Sequence, residues 1–291
     1  MRWAPQGLGT RRSSFVHTVQ RGLRRFWRPE SAGEPSATPG RFENEGFCSC
    51  CDQNTKFIAE HPWFRDWYVC TACGSIPRER ALMFSVDRFL PAWREAVIHE
   101  SSPGARGASA KLKQQAARYV ASQYYASVAL GEAHQGFRCE NLEKLTFMDE
   151  SIDLHVTQDV MEHIYDPARA FREIARTLRP GGLHVFTVPL VNKERPTEVC
   201  ARRRPDGTIE HLREPEYHIN PASADGALVT RRWGYDICDF IARESGLFTQ
   251  ILWIDALELG IRAEYIDVLI TRKPAAEPAD PSRERIPGKV E

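Results

Sequence analysis

Two short cysteine pairs, Cys48 with Cys51 and Cys70 with Cys73, constrain this chain more than any other feature, because 18 residues separate one pair from the other. That spacing falls within the roughly 15–20 residues of a four-cysteine zinc ribbon. A tetrahedral dication takes two thiolates from each of two tight turns, and Gly74 after Cys73 suits the turn that brings backbone amides near the sulfurs. Four protein ligands close such a site, so the expected zinc is structural, with redox pairing or a metal-free cluster as the alternatives. Cys50 is a spare thiol expected to point off the knuckle, while Cys139, Cys200 and Cys238 stand alone. Trp63, Phe64, Trp67 and Tyr68 lie between the pairs and are the expected core of this module.

The 291 residues are 42% hydrophobic and 27% charged, and none of their apolar runs approaches the roughly 18 residues of a membrane helix. Lys plus Arg number 39 and Asp plus Glu 39, so no global field draws the chain to nucleic acid or an anionic membrane. The amino-terminal 29 residues contain no acid but seven arginines, among them Arg11, Arg12, Arg24 and Arg25. They read as a disordered basic tail, with a presequence-like or lipid-surface role as the alternative. The expected organisation is a tail and linker over 1–44, the zinc-ribbon-like module over 45–80, a larger domain over 81–273 and a second tail over 274–291. Clustered thiols without an apolar signal run point to a reducing compartment, and the expected location is cytoplasmic.

Beyond the cysteines, helix and strand patterns alternate. Pro77 and the spacing Leu82, Val86, Phe89, Leu90 predict a helix, followed by a strand over 96–99 that ends at Glu100. A helix over 111–118 and a strand over 119–122 come next, and Ile152, Leu154 and Val156 alternate as a half-buried strand. Asp166 before Pro167 predicts a capped helix start; Ala168, Phe171, Ile174, Ala175 and Leu178 fall on one face, and Pro180-Gly181-Gly182 is the expected stop before a strand over 183–188. Such alternation argues for an open, mostly parallel α/β sheet that binds ligands beyond the carboxyl ends of its strands.

The run FMDESIDLHVTQDVMEHIYDPARAFREIARTLRPGGLHVFTVP, residues 147–189, resembles the central part of class I S-adenosylmethionine-dependent methyltransferases, in the subgroup called the type 11 methyltransferase domain. The likeness rests on the D-x-S-x-D start, the V-x-E-H turn and the R-x-L-x-P-G-G stop, and extends over about residues 92–273. It implies a Rossmann-like seven-stranded sheet with a terminal antiparallel pair, here 249–254 and 264–271, and S-adenosyl-L-methionine lying across the ends of the first strands.

The same resemblance assigns residues. Glu100 stands where the family holds the methionine end of the cofactor. The following loop keeps Gly104 in register, with Ser102 and Arg106 at the other two glycine positions, and Arg106 could face the cofactor carboxylate. Ser122 and Gln123 replace the acid that binds the ribose hydroxyls, and Asn141 with Leu142 matches the pair that reads adenine. Gln158 and Asp159 begin the turn beside the reactive methyl, where His163 could act as a base or brace the next helix. Asp159, Glu162 and His163 are also similar to the acid-x-x-Glu-His of certain metal-dependent O-methyltransferases, which need a second His; His218 would supply it, but the preferred expectation is activity that survives chelation. Residues 190–232, with Arg202, Arg203 and Arg204, form an insertion expected to carry acceptor contacts or to be a solvated loop. Trp233 is expected in the core.

A small molecule or glycan precursor is the expected acceptor. RNA is an alternative, since ribosomal RNA methyltransferases with an amino-terminal zinc module exist, although zero net charge disfavours it. The weakened glycine loop and missing ribose acid leave a non-catalytic scaffold as the third reading.

Overall fold

The computed structural model describes residues 40–220 and 223–276; the basic tail and carboxyl-terminal segment considered above otherwise lie outside the described residues. Strand β1 (Phe42–Cys48) begins inside the segment read as linker, and its FENEGFC alternation pairs antiparallel with β2 (Gln53–Ala59), Phe42 opposite Ala59 and Cys48 opposite Gln53. A one-turn helix α1 (Phe64–Trp67) leads into β3 (Tyr68–Cys70), which completes this small sheet. Helix α2 (Pro77–Phe89) follows; Pro77 occupies its first turn and the Glu79 side chain accepts the Ile76 N–H at 3.0 Å.

The large sheet is built from β4 (Val97–Ser101), β5 (Arg118–Gln123), β6 (Ala133–His134), β7 (Phe137–Cys139), β8 (Ile152–Gln158), β9 (Leu178–Thr187), β16 (Thr249–Leu252) and β17 (Val268–Arg272), in the order β16-β17-β9-β8-β4-β5-β7-β6. Neighbours from β9 to β7 run parallel, and β17 inserts antiparallel between β9 and β16. Helices α3 (Gly107–Gln115), α4 (Pro167–Thr177) and α5 (Ile237–Ser245) make the connections. Three short antiparallel pairs decorate the segment between β9 and α5: β10 (Glu198–Val199) with β15 (Arg231–Arg232), β11 (Ala201–Arg203) with β12 (Ile209–His211), and β13 (Tyr217–Asn220) with β14 (Ser223–Leu228).

The large sheet and helix α4 depart from expectation. The sheet has eight strands rather than seven, because β6 and β7 form a hairpin whose two turn residues, Gln135 and Gly136, both have positive φ (50° and 83°). Helix α4 ends at Thr177, before the Pro-Gly-Gly stop: Leu178 caps it and already pairs with Ile152, so Pro180 to Gly182 lie within β9. Its start is as predicted, with Asp166 Oδ1 accepting the Arg169 N–H at 3.0 Å.

The cysteine sheet is continuous with the large core. Phe57, Tyr68, Leu82, Met83, Ile98, Val156 and Val185 belong to one buried cluster, whereas Phe171, Ile174, Phe186, Trp233 and Ile241 fill the other. Tyr68 is buried; Trp63 and Trp67 are only half-buried, and Phe42 joins Phe64 and Tyr68 in place of the tryptophans, with centroids 5.1 and 5.6 Å away. Arg80 of α2 is fully buried over Phe57 and Tyr68 and donates to the backbone carbonyls of Tyr68, Ser75 and Gly260. Satisfying a guanidinium with carbonyls from three segments offsets its desolvation and ties the cysteine sheet to the loop before β17. Gly260 (φ 63°) allows this contact, since a Cβ there would sit 2.6 Å from the Phe57 ring.

Candidate active site

The chain turns at the carboxyl ends of β4, β5 and β8, and those turns border a cavity of about 650 Å³. Ser102, Gly104, Gln123, Gln158 and Asp159 contribute to its wall from the sheet side, Trp63, Arg65 and Arg78 from the cysteine module and α2, and His163 and His218 from beyond β8. Ser102 leaves β4 with φ 54° and donates its N–H to Ser122 O at 2.8 Å, which fixes the loop against β5. Gly104 N–H donates to Ser109 Oγ at 3.0 Å.

Several sequence candidates lie behind this wall. Glu100 is fully buried and accepts from Ser109 Oγ (2.6 Å), Gln158 Nε2 (2.9 Å) and Tyr119 OH (2.8 Å). Burial pushes its carboxyl up despite these donors, so in this structure Glu100 positions Ser109 and Gln158 from beneath the cavity. Ser122 is buried with its hydroxyl on His99 Nε2 at 2.7 Å, leaving Gln123 as the β5 residue at the wall. Asn141 Oδ1 accepts the Glu143 N–H at 2.8 Å, and Leu142 packs in the core beside α4; neither borders the cavity. Arg106 also turns away, with Nε 3.3 Å from Glu79 Oε1.

Asp159 occupies a left-handed position (φ 51°), which Asp tolerates better than most residues. Its Oδ2 meets Arg65 Nη2 at 2.5 Å and Arg78 Nη1 at 2.7 Å, while Oδ1 accepts from Thr187 Oγ1 at 3.0 Å. Burial raises this carboxyl, but the two guanidiniums outweigh it and hold the group well below the usual carboxylate range. Sequence reading missed both arginines because they precede Asp159 by 94 and 81 residues and no local motif marks them.

Next to this pair, Glu162 is buried with neither carboxylate oxygen hydrogen-bonded, and burial pushes its pKa up to about 8. His163 Nδ1 donates to Leu228 O at 2.9 Å, which leaves Nε2 as the lone-pair nitrogen, 3.7 Å from Glu162 Oε1. Burial lowers its pKa to about 4. His218 places Nδ1 3.8 Å from the same oxygen.

The four cysteines meet as expected: their sulfurs all lie within 4.8 Å of one another, with Cys48–Cys73 at 3.8 Å and Cys51–Cys70 at 3.9 Å. A tetrahedral zinc with bonds of about 2.3 Å needs sulfurs about 3.8 Å apart, so the donor set and spacing both fit. Asp52 N–H to Cys48 O (2.9 Å) and Gly74 N–H to Cys70 O (2.8 Å) close the two knuckles. Cys50 is buried outside the cluster, where desolvation raises its pKa.

Residues 102–186, running from the loop after β4 almost to the end of β9, match the methyltransferase domain family. The segment contains Ser102, Gly104, Gln123, Gln158 and Asp159 of the cavity wall. A Mycobacterium tuberculosis protein named "Probable S-adenosylmethionine-dependent methyltransferase" is 45% identical over 49 residues, which is 17% of this chain and 18% of that protein. The chain thus spans about a fifth of the length of that curated relative. Among solved structures, an S-adenosylmethionine-dependent methyltransferase from Mesorhizobium loti is 15% identical, with a TM-score of 0.43 over 66% of this chain and 98% of that one. The Burkholderia thailandensis 1,6-didemethyltoxoflavin-N1-methyltransferase, solved with 1,6-didemethyltoxoflavin and S-adenosylhomocysteine, is 14% identical, with a TM-score of 0.42 over 68% of this chain and 78% of that one.

Proposed function

We propose that this chain is an S-adenosylmethionine-dependent methyltransferase with a structural zinc, acting on a small-molecule acceptor. The observation that carries the reading is that the matched methyltransferase segment supplies the loops bordering the cavity at the carboxyl ends of β4, β5 and β8. About 650 Å³ is a usual size for a small-molecule cleft. Arg78 fits the cofactor further: its side chain borders the cavity, and the guanidinium that meets Asp159 through Nη1 has further N–H groups for a carboxylate.

On this reading, Arg78 with the Ser102–Gly104 loop holds the amino-acid end of the cofactor, and Gln123 takes a ribose hydroxyl. When bound, the cofactor would supply a sulfonium methyl open to in-line displacement by an acceptor, with its demethylated thioether as the leaving group. The protein mainly orients the two reactants and excludes water. Gln158, fixed by Glu100 and Ser109, keeps the end of β8 in place beside them. His163, with its proton held on Nδ1 by the Leu228 carbonyl, presents the lone pair of Nε2 beside Glu162 at the cavity wall.

A small acceptor is favoured over RNA because the arginine triplet of the insertion is partly neutralised: Arg203 pairs with Glu143 and Arg204 with Glu210, each at 3.2 Å. The test is cofactor binding by variants. Gln123→Ala and Arg78→Met should each weaken S-adenosylmethionine about tenfold or more, for a lost hydrogen bond to a charged or polar group. Exposed Arg243→Ala should leave it unchanged, and equal affinity in all three would refute the assignment of this cavity.

A further inference from the structure

We propose that Glu162, His163 and His218 form a three-ligand site for one divalent transition-metal ion, open toward the cavity. The inference reverses the expectation of a metal-independent turn, and three observations carry it. One potential ligand atom from each residue lies within 4.8 Å of the others. Both Glu162 oxygens are buried and unpartnered, and a buried carboxylate left without a donor costs free energy that a cation would recover. The histidines are also braced on the nitrogen away from Glu162: His163 Nδ1 donates to Leu228 O, and His218 Nε2 lies 3.5 Å from Glu216 Oε1. Arg232 in turn holds Glu216 at 3.0 Å. A backbone carbonyl on one ligand and a carboxylate on the other are the supports that fix tautomer and ring direction in metal-binding histidines.

The distances need little adjustment. Ligands of a tetrahedral ion with bonds of about 2.0–2.1 Å stand about 3.4 Å apart; the two imidazole nitrogens are 3.7 and 3.8 Å from Glu162 Oε1. Two imidazoles and one carboxylate favour manganese, iron, cobalt or zinc over magnesium or calcium, which prefer all-oxygen sites. Asp159 stays outside the set because Arg65 and Arg78 already occupy its carboxylate. Three protein ligands leave coordination positions free, and since His163 and His218 border the cavity, water or an oxygen of a bound molecule would fill them.

Mn²⁺ distinguishes this site from the cysteine cluster, because thiolates select softer ions. The full chain, loaded with a single zinc per molecule so that the four thiolates take it first, titrated with Mn²⁺ and followed by the paramagnetic resonance of the free ion, should bind one Mn²⁺ per chain. Glu162→Gln and His218→Ala should each weaken it about tenfold or more, Glu216→Gln about tenfold, and exposed His211→Ala not at all. Glu162→Gln keeps the side-chain shape and removes a buried acid that has no hydrogen-bond donor in the metal-free chain, so it should melt no lower than the wild type without Mn²⁺ and should lose the stabilisation that Mn²⁺ gives the wild type. No bound Mn²⁺, or binding and stabilisation that Glu162→Gln leaves unchanged, would overturn the site. The metal site stands on its own geometry; S-adenosylmethionine binding, measured on the same samples, separates its failure from failure of the methyltransferase reading.

Discussion

Asp159 joins three parts of the chain through one carboxylate: Arg65 from α1, Arg78 from α2 and Thr187 from the end of β9. The side chains are only 12–21% exposed, so solvent screens the pair weakly and the charge of Asp159 matters more than it would at the surface. Asp159→Asn preserves the left-handed backbone and the side-chain shape while leaving two adjacent guanidiniums without their anion. It should lower stability by about 2–4 kcal/mol in urea unfolding of the full chain, and an unchanged midpoint would show that the arginines find other partners. At this scale the sequence exposed one side of the interaction. Asp159 stands out because it directly follows a predicted strand, but the identity of its partners depends on how distant segments pack. Glu100 shows the same limit: its position at the end of a strand was legible, yet its role follows from Ser109, Gln158 and Tyr119 converging on it from three elements.

The cysteine knuckles are the element most fully written in the sequence, since spacing alone places four thiols around one point. Zinc should remain bound through dialysis at one ion per chain. Cys48→Ser should release it and unfold the β1–β3 sheet locally, because structural zinc contributes on the order of 10–16 kcal/mol to small modules. Cys50→Ser should retain it, since Cys50 lies outside the sulfur cluster. Elemental analysis decides the matter, and zinc retained by Cys48→Ser but lost by Cys50→Ser would overturn the ligand set. Other elements were less visible. The β6–β7 hairpin is too short for period-two alternation to stand out, although Gln135-Gly136 is a turn pair that marks it. Leu178 fits the helical face of α4, but pairing with Ile152 claims it for β9 instead.

Across the whole molecule, three histidines fall in register on adjacent strands: His99 opposite His155 and His155 opposite His184. All are buried, with His99 Nδ1 2.9 Å from His155 Nδ1 and His184 stacked on Phe186. Unfolded, such imidazoles titrate near about 6.5; burial lowers His99 and His184 to about 3 and His155 well below its usual value. Below pH about 6.5 the unfolded chain therefore takes up protons that the fold refuses, so this contribution is complete above that pH and is lost as pH falls, by about 1.4 kcal/mol per pH unit for each histidine. Replacing His184 by Gln should reduce the pH slope of stability between pH 5 and 6 by about that amount, whereas an unchanged slope would mean that His184 is protonated within the fold. The ladder was hidden in the sequence because register, not local pattern, brings the rings together; the parallel sheet carrying it was legible from its alternating strands and helices. That sheet places the cavity, and the cavity's ligand is the central claim. Calorimetric titration of S-adenosylmethionine and its demethylated product into the zinc-loaded chain should show one site. The missing ribose carboxylate should cost about 1.5–3 kcal/mol, moving micromolar binding to roughly 10–100 µM. No heat and no thermal shift with either ligand at millimolar concentration, in a folded and zinc-loaded sample, would contradict the account.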